Sequence, residues 1–109
     1  MKKKNNDSIF SKIIRREVPS RIAYEDKNVI VIWDIDQTHK DHLLSIWKEE
    51  YVNLFDLPAH KIKKYFKITA KFAKKFIKNN GYKAFKILMN NGVEANQVVM
   101  HCHIHIFPF

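Results

Sequence analysis

The chain has 109 residues, 46% hydrophobic and 28% charged, the size and balance of one soluble domain around one core. Its two glycines, Gly81 and Gly92, leave no room for a glycine-rich phosphate cradle, which excludes P-loop and kinase chemistry, and its one cysteine excludes an internal disulfide. The formal charge of +9 raises nucleic acid as a partner.

Residues 1–7 read as a disordered polar arm. MKKKNNDS has no apolar segment behind its lysines, so it is not a signal peptide, and a cytoplasmic location is expected. Ser8 is a candidate N-cap for the short helix IFSKIIRRE, in which Ile9, Phe10, Ile13 and Ile14 share a face, with Pro19 expected to end it. RIAYE reads as a strand, EDKN as a turn and NVIVIWDI as a second strand. Its apolar run, Val29 to Trp33, is the longest in the chain and far too short to span a membrane.

DQTHKD is loop-like, HLLSIW is a third strand, and YVNLFDLP turns into a long helix from Ala59 to Lys78. There Ile62, Tyr65, Phe66, Thr69, Phe72, Ala73, Phe76 and Ile77 recur at spacings of three and four. Eight of the 20 basic residues fill the remaining positions between Lys61 and Lys78, all of them lysine, whereas bidentate reading of phosphates and bases favours arginine. The charge therefore reads as a solvated helix face, without a specific nucleic-acid partner. Asn80-Gly81 stops the helix. FKILMN is a strand, NNGVEAN a tight loop and QVVMHCHIHIFPF the final strand. This order predicts a single α+β domain over 8–109, with a mostly antiparallel five-stranded sheet, one short N-terminal helix and one long helix.

The last segment carries three of the six histidines. Strand alternation places His101, His103 and His105 on one face and Cys102, Ile104 and Ile106 on the other, so Cys102 is a buried thiol and not a nucleophile. Three histidines in alternation are improbable as ordinary strand residues. A metal could take two of them, with His42, His39 or Glu50 completing the set. All three cannot share one ion comfortably, because the outer Cα atoms lie about 13 Å apart and a Zn–N bond is about 2 Å. Nucleophilic catalysis is the competing use: a neutral imidazole attacks through one nitrogen while the other is held as a donor. His103 suits that role, since it alone has a histidine on each side, and a phosphoryl substrate would be stabilised by neighbouring N–H groups.

His101-Cys102-His103-Ile104-His105-Ile106-Phe107 resembles the motif of the histidine-triad (HIT) superfamily. IFSKIIRREVPSRIAYED, VIVIWDI, HLLSIWK and Asn90-Asn91-Gly92 followed by Gln97 are similar to the branch that includes the adenosine phosphoramidases. The resemblance implies a nucleotide hydrolase acting at the α-phosphate of purine nucleoside phosphoramidates or related nucleotidyl esters and anhydrides. It makes His103 the nucleophile, supported by His101, His105 and His42, with Asn90 behind the histidines and Gln97 and the Val98 N–H near the phosphate. It also implies that Asp34 binds the ribose and that Phe10, Ile13, Ile32 and Ile35 line the base pocket. Read from the residues alone, Asp34 could begin a turn, and Phe10 and Ile13 could be core. His39 and His60 receive no role.

Where some relatives have a Cys-x-x-Cys and a further histidine for zinc, this chain has Ser8, Ser11 and Glu50, so no metal and no other cofactor is expected. Trp47 stands where proline is common, Asn96 where glycine is usual and Val98 where Ser or Thr is frequent, and a longer C-terminal tail is expected to be missing beyond Phe109. The expected partners are a purine nucleotide substrate and a second copy of the chain, with no membrane. Dinucleoside polyphosphate hydrolysis or nucleotidyl transfer are the nearest alternatives. A zinc-dependent hydrolase and a non-catalytic nucleotide or nucleic-acid binding module stand further off.

Overall fold

The structure is a computed structural model and describes residues 7–109. The arm expected over 1–7 lies outside the described residues except for Asp7, whose carboxylate accepts from Arg15 at 2.5 Å. Helix α1 (Ile9–Ile14) precedes β1 (Ile22–Glu25), β2 (Val29–Trp33) and β3 (Leu43–Trp47). Helix α2 (Ala59–Asn79), β4 (Phe85–Leu88) and β5 (His103–Pro108) follow. The five strands form one sheet in the order β1-β2-β3-β5-β4, with every neighbouring pair antiparallel. The predicted fold class is therefore the observed one.

Both faces of the central strands are covered, which is why VIVIW reads as a continuous apolar run and LLSIW as one broken only by Ser45. On one face Val29, Val31, Leu43, Trp47, Ile104 and Ile106 pack with Tyr65 and Ala73 of α2. On the other, Ile30, Ile32, Leu44 and Ile46 pack with Phe10 and Ile13 of α1. Directly paired residues share a face, so the pairs Leu44↔His105 and Ile46↔His103 put both histidines on the α1 side. The long helix ends as its sequence predicts: Gly81 has φ +73°, and the Tyr82 N–H closes back on the Ile77 carbonyl.

Two boundaries differ from expectation. Helix α1 stops at Ile14, well before Pro19, because Arg16 turns left-handed (φ +63°) and Glu17 N–H reaches back to the Lys12 carbonyl. The final strand begins at His103 instead of Gln97. Ahead of it, Cys102 N–H donates to Tyr51 O at 2.8 Å, outside the sheet ladder. Cys102 is fully buried and its thiol is pushed up to about 12 by that burial, as expected of an inert core cysteine.

The α2 interface contains a polar side-chain pair, Ser45 Oγ to Thr69 Oγ1 at 2.8 Å, both side chains almost wholly buried. Removing one partner strands the other hydroxyl, so Thr69→Val should cost about 1–3 kcal/mol of unfolding free energy. Adding Ser45→Ala to that variant should restore most of the loss, as read by urea denaturation.

Candidate active site

His103 is 7% exposed and opens β5. Its Nδ1 lies 2.6 Å from the His101 carbonyl oxygen. A carbonyl can only accept, so Nδ1 must carry the proton. Burial lowers the pKa of the ring and keeps it neutral. The Nε2 atom is then the one with the free lone pair, and no described residue occupies it. Phe10 packs edge-on against the ring at 4.9 Å and limits its rotation.

His101 is buried completely. Its Nε2–H donates to the Trp47 carbonyl at 2.6 Å, and burial lowers its pKa, so the ring is neutral and Nδ1 accepts. Ser11 Oγ lies 3.3 Å and Ser8 Oγ 3.5 Å from that nitrogen. Ser8 also caps α1, its oxygen accepting from Ser11 N–H at 3.1 Å. The positions noted in the sequence for their lack of cysteine thus meet at one histidine, with hydroxyls where soft ligands would sit. That donor set suits hydrogen bonding and not zinc.

His42 stands immediately before β3, and its Nε2 lies 2.9 Å from His105 Nδ1. Its Nδ1 is 3.5 Å from Asp34 Oδ2. The carboxylate favours a proton on Nδ1, so His42 Nε2 accepts and His105 Nδ1–H donates. Asp34, His42 and His105 are the set of candidate metal ligands that lie close together among the described residues. Their spacing argues for a proton chain instead of an ion. Two nitrogens bound tetrahedrally to one zinc sit about 3.3 Å apart, wider than this pair, and Asp34 faces the opposite nitrogen of His42. Phe107, not among the residues expected at the site, stacks on His42 at 4.3 Å and closes the row. Its position two residues after His105, on the same strand face, was the available signal.

Beside the histidines lies a cleft of about 710 Å³ between α1 and the sheet. Phe10, Ile13, Ile32 and Asp34, to which the resemblance assigns the base and the ribose, all line it. Phe10 and Ile13 are also core, so the two readings of those residues coincide. Ile35 reaches the cleft only at its mouth and is 98% exposed. Ile9, Val18, Leu44 and Val99 also line it, and of these only Ile9 shares a periodic face with Phe10 and Ile13 in the sequence. His39 is part of a different arrangement: its Nε2–H donates to Pro108 O at 2.6 Å, tying the loop before His42 to the end of β5. His60 is exposed at the start of α2.

The loop before the histidines is held from within. Gln97 is 4% exposed, and its amide is fully engaged. Its Nε2 donates to Val52 O and Val99 O, while its Oε1 accepts from Asn53 Nδ2 and Gly92 N–H. Its side chain is a strut that shapes the loop. Asn90 donates to the Asn96 carbonyl at 3.3 Å, on the same loop, and makes no hydrogen bond to a histidine among the described residues. Val98 is 85% exposed. Asn96 adopts φ +69°, ψ +27°, the left-handed conformation in which asparagine is the best substitute for glycine.

Burial lowers the pKa of His101, His103 and His105, the last to about 4. Unfolded imidazoles take up protons near 6.5, so between about 6.5 and 4 the unfolded chain binds more protons than the folded one. Stability therefore rises with pH across that window and is lost on acidification. Thermal denaturation should give a Tm that falls as pH drops from about 6.5 towards 4, and His105→Gln should flatten the profile.

A HIT domain matches residues 15–109 of the chain. Protein hit of Bacillus subtilis is 37% identical over 100 residues, 92% of this chain and 69% of that protein. The purine nucleoside phosphoramidase of Escherichia coli is 50% identical over 40 residues, 37% of this chain and 34% of that enzyme. A HIT family hydrolase from Clostridium thermocellum superimposes with a TM-score of 0.86 at 34% identity, over 97% of this chain and 93% of that one. The chain spans about half to two thirds of the length of the first curated relatives it matches. With its histidine row on the last strand of a five-stranded sheet, and with matches of this extent, the chain belongs to the HIT family.

Proposed function

We propose that the protein hydrolyses purine nucleoside phosphoramidates or related nucleotidyl esters and anhydrides through a nucleotidyl-histidine intermediate. The observation that carries this reading is the hydrogen bond from His103 Nδ1–H to the His101 carbonyl, which reserves Nε2 for attack. In the proposed reaction Nε2 bonds to the α-phosphorus and the leaving group departs with its electron pair. The imidazolium so formed keeps its Nδ1–H on the carbonyl, which stabilises the new positive charge. Water then attacks phosphorus, releasing the nucleoside monophosphate and returning the neutral ring.

The purine occupies the apolar cleft and the ribose hydroxyls meet Asp34, which also orients His42. An anionic phosphate beside His105 favours the protonated form of that ring, so the substrate supplies the counter-charge that burial withholds. His105 then becomes the proton donor to a leaving amine, with Asp34 and His42 behind it. The Val98 N–H, on the exposed part of its loop, serves as a phosphate donor. The similarity of a 40-residue stretch to a purine nucleoside phosphoramidase supports the choice of phosphorus–nitrogen bonds.

We further infer a homodimer built on the long helix α2 and on β4, an edge strand whose Phe85, Ile87 and Leu88 are 36–42% exposed. No described helix is long and apolar enough to cross a membrane. The cytoplasmic assignment is part of this proposal and rests on the sequence.

His103→Ala should lower turnover of an adenosine phosphoramidate by about 10⁴-fold or more while leaving nucleotide affinity within a few-fold. Rapid quenching of the parent in alkali should trap one nucleoside monophosphate on the His103 peptide by mass spectrometry. Parental turnover in the variant would refute the nucleophile. A parent that cleaves dinucleoside polyphosphates far faster than phosphoramidates would move the substrate class while keeping the mechanism. The Asp34→Asn variant should raise KM and lower kcat together, because the carboxylate serves both ribose and His42.

A further inference from the structure

On the sheet face opposite the histidines, α2 and β1 enclose a groove of about 480 Å³. Tyr24 and Phe72 form its aromatic floor, and Lys64, Lys67, Lys71 and Lys75 form its rim. We propose that this groove binds single-stranded nucleic acid without sequence preference, with the lysines on successive phosphates and a base stacked on Tyr24.

The four lysines are spaced three, four and four residues apart, which makes one row along the helix about 16 Å long. A mononucleotide is too short to use that row, whereas three or four nucleotides of an extended strand cover it. All four are exposed, and none forms an ion pair with a described residue. Helix α2 has eight lysines and no acidic residue; Lys61, outside the row, pairs with Glu49. Two acids stand at the end of β1, Glu25 and Asp26, and neither lines the groove. Glu25 pairs with Arg16 and Lys48, and Asp26 accepts from Tyr24 Oη and from the Asn28 and Val29 amides.

Tyr24 is 37% exposed, and its ring lies tilted 5.8 Å from that of Phe72. The hydrogen bond from its hydroxyl to Asp26 at 2.7 Å holds the ring in place at the mouth of the groove. An aromatic face beside a basic row suits unpaired bases, which a duplex keeps stacked inside. The row is built of lysine without arginine, which fits contacts to phosphate and not base reading. The groove lies on the β1 side of α2, and β1 and β4 lie at opposite edges of the sheet. The sequence alone presents these lysines as a solvated helix face. Nothing in the helix repeat could reveal that Tyr24, forty residues earlier, closes a groove beside them.

The test is fluorescence anisotropy of a labelled oligothymidylate of about 12 nucleotides against the full chain across a salt series. Four phosphate contacts predict a log K against log salt slope of about −2.8, and Lys67→Gln/Lys71→Gln should reduce it to about −1.4. Tyr24→Ala should weaken binding roughly tenfold with the slope unchanged. The proposal is overturned if the oligonucleotide does not bind at about 50 mM salt. It is equally overturned if a hairpin duplex or a poly-glutamate peptide of the same charge binds as tightly, or if the double lysine variant binds like the parent. Turnover at the histidines should be unchanged in all of these variants.

Discussion

One hydrogen bond sets the chemistry of this domain: His103 Nδ1–H to the carbonyl of His101. In a regular strand the carbonyls lie in the plane of the sheet and side chains stand across it. The contact therefore depends on the chain leaving the strand just before His103, where Cys102 N–H turns to Tyr51. The shortened strand is thus more than a boundary detail. The bend at its start aims the one carbonyl that decides which nitrogen of His103 is free.

The surrounding structure immobilises that bend. His101 is locked between the Trp47 carbonyl and the hydroxyls of Ser8 and Ser11, and Gln97 braces the preceding loop with four hydrogen bonds. Beneath the row, Ile104 and Ile106 are wholly buried against α2, so the histidines sit on a floor with little freedom to shift. Burial also keeps all three rings neutral at physiological pH, and stability at low pH is what that neutrality costs.

Much of this was legible in the sequence. The three- and four-residue repeat of α2, the two buried central strands and the alternation around His103 each follow from a period that local residues enforce. The cluster of His42, His105 and Asp34 and the cleft residues Phe10, Ile13 and Ile32 came from family resemblance, since they lie far apart in the chain and meet only through strand pairing. Other features were hidden for a physical reason. The engagement of Gln97, the stacking of Phe107 on His42 and the left-handed turn at Asn96 are set by tertiary partners or by backbone dihedrals. The serines at 8 and 11 stand out in the sequence as missing metal ligands, and in the structure both face His101 Nδ1.

The most direct measurement is the nitrogen NMR signature of the His103 ring at neutral pH, assigned with His103→Gln. The structure requires a neutral ring with the proton on Nδ1 and a bare Nε2, persisting as the pH falls below 6.5, the usual histidine value. A proton on Nε2, or a charged imidazolium at neutral pH, would contradict it, because the atom assigned to attack phosphorus would have no lone pair to offer.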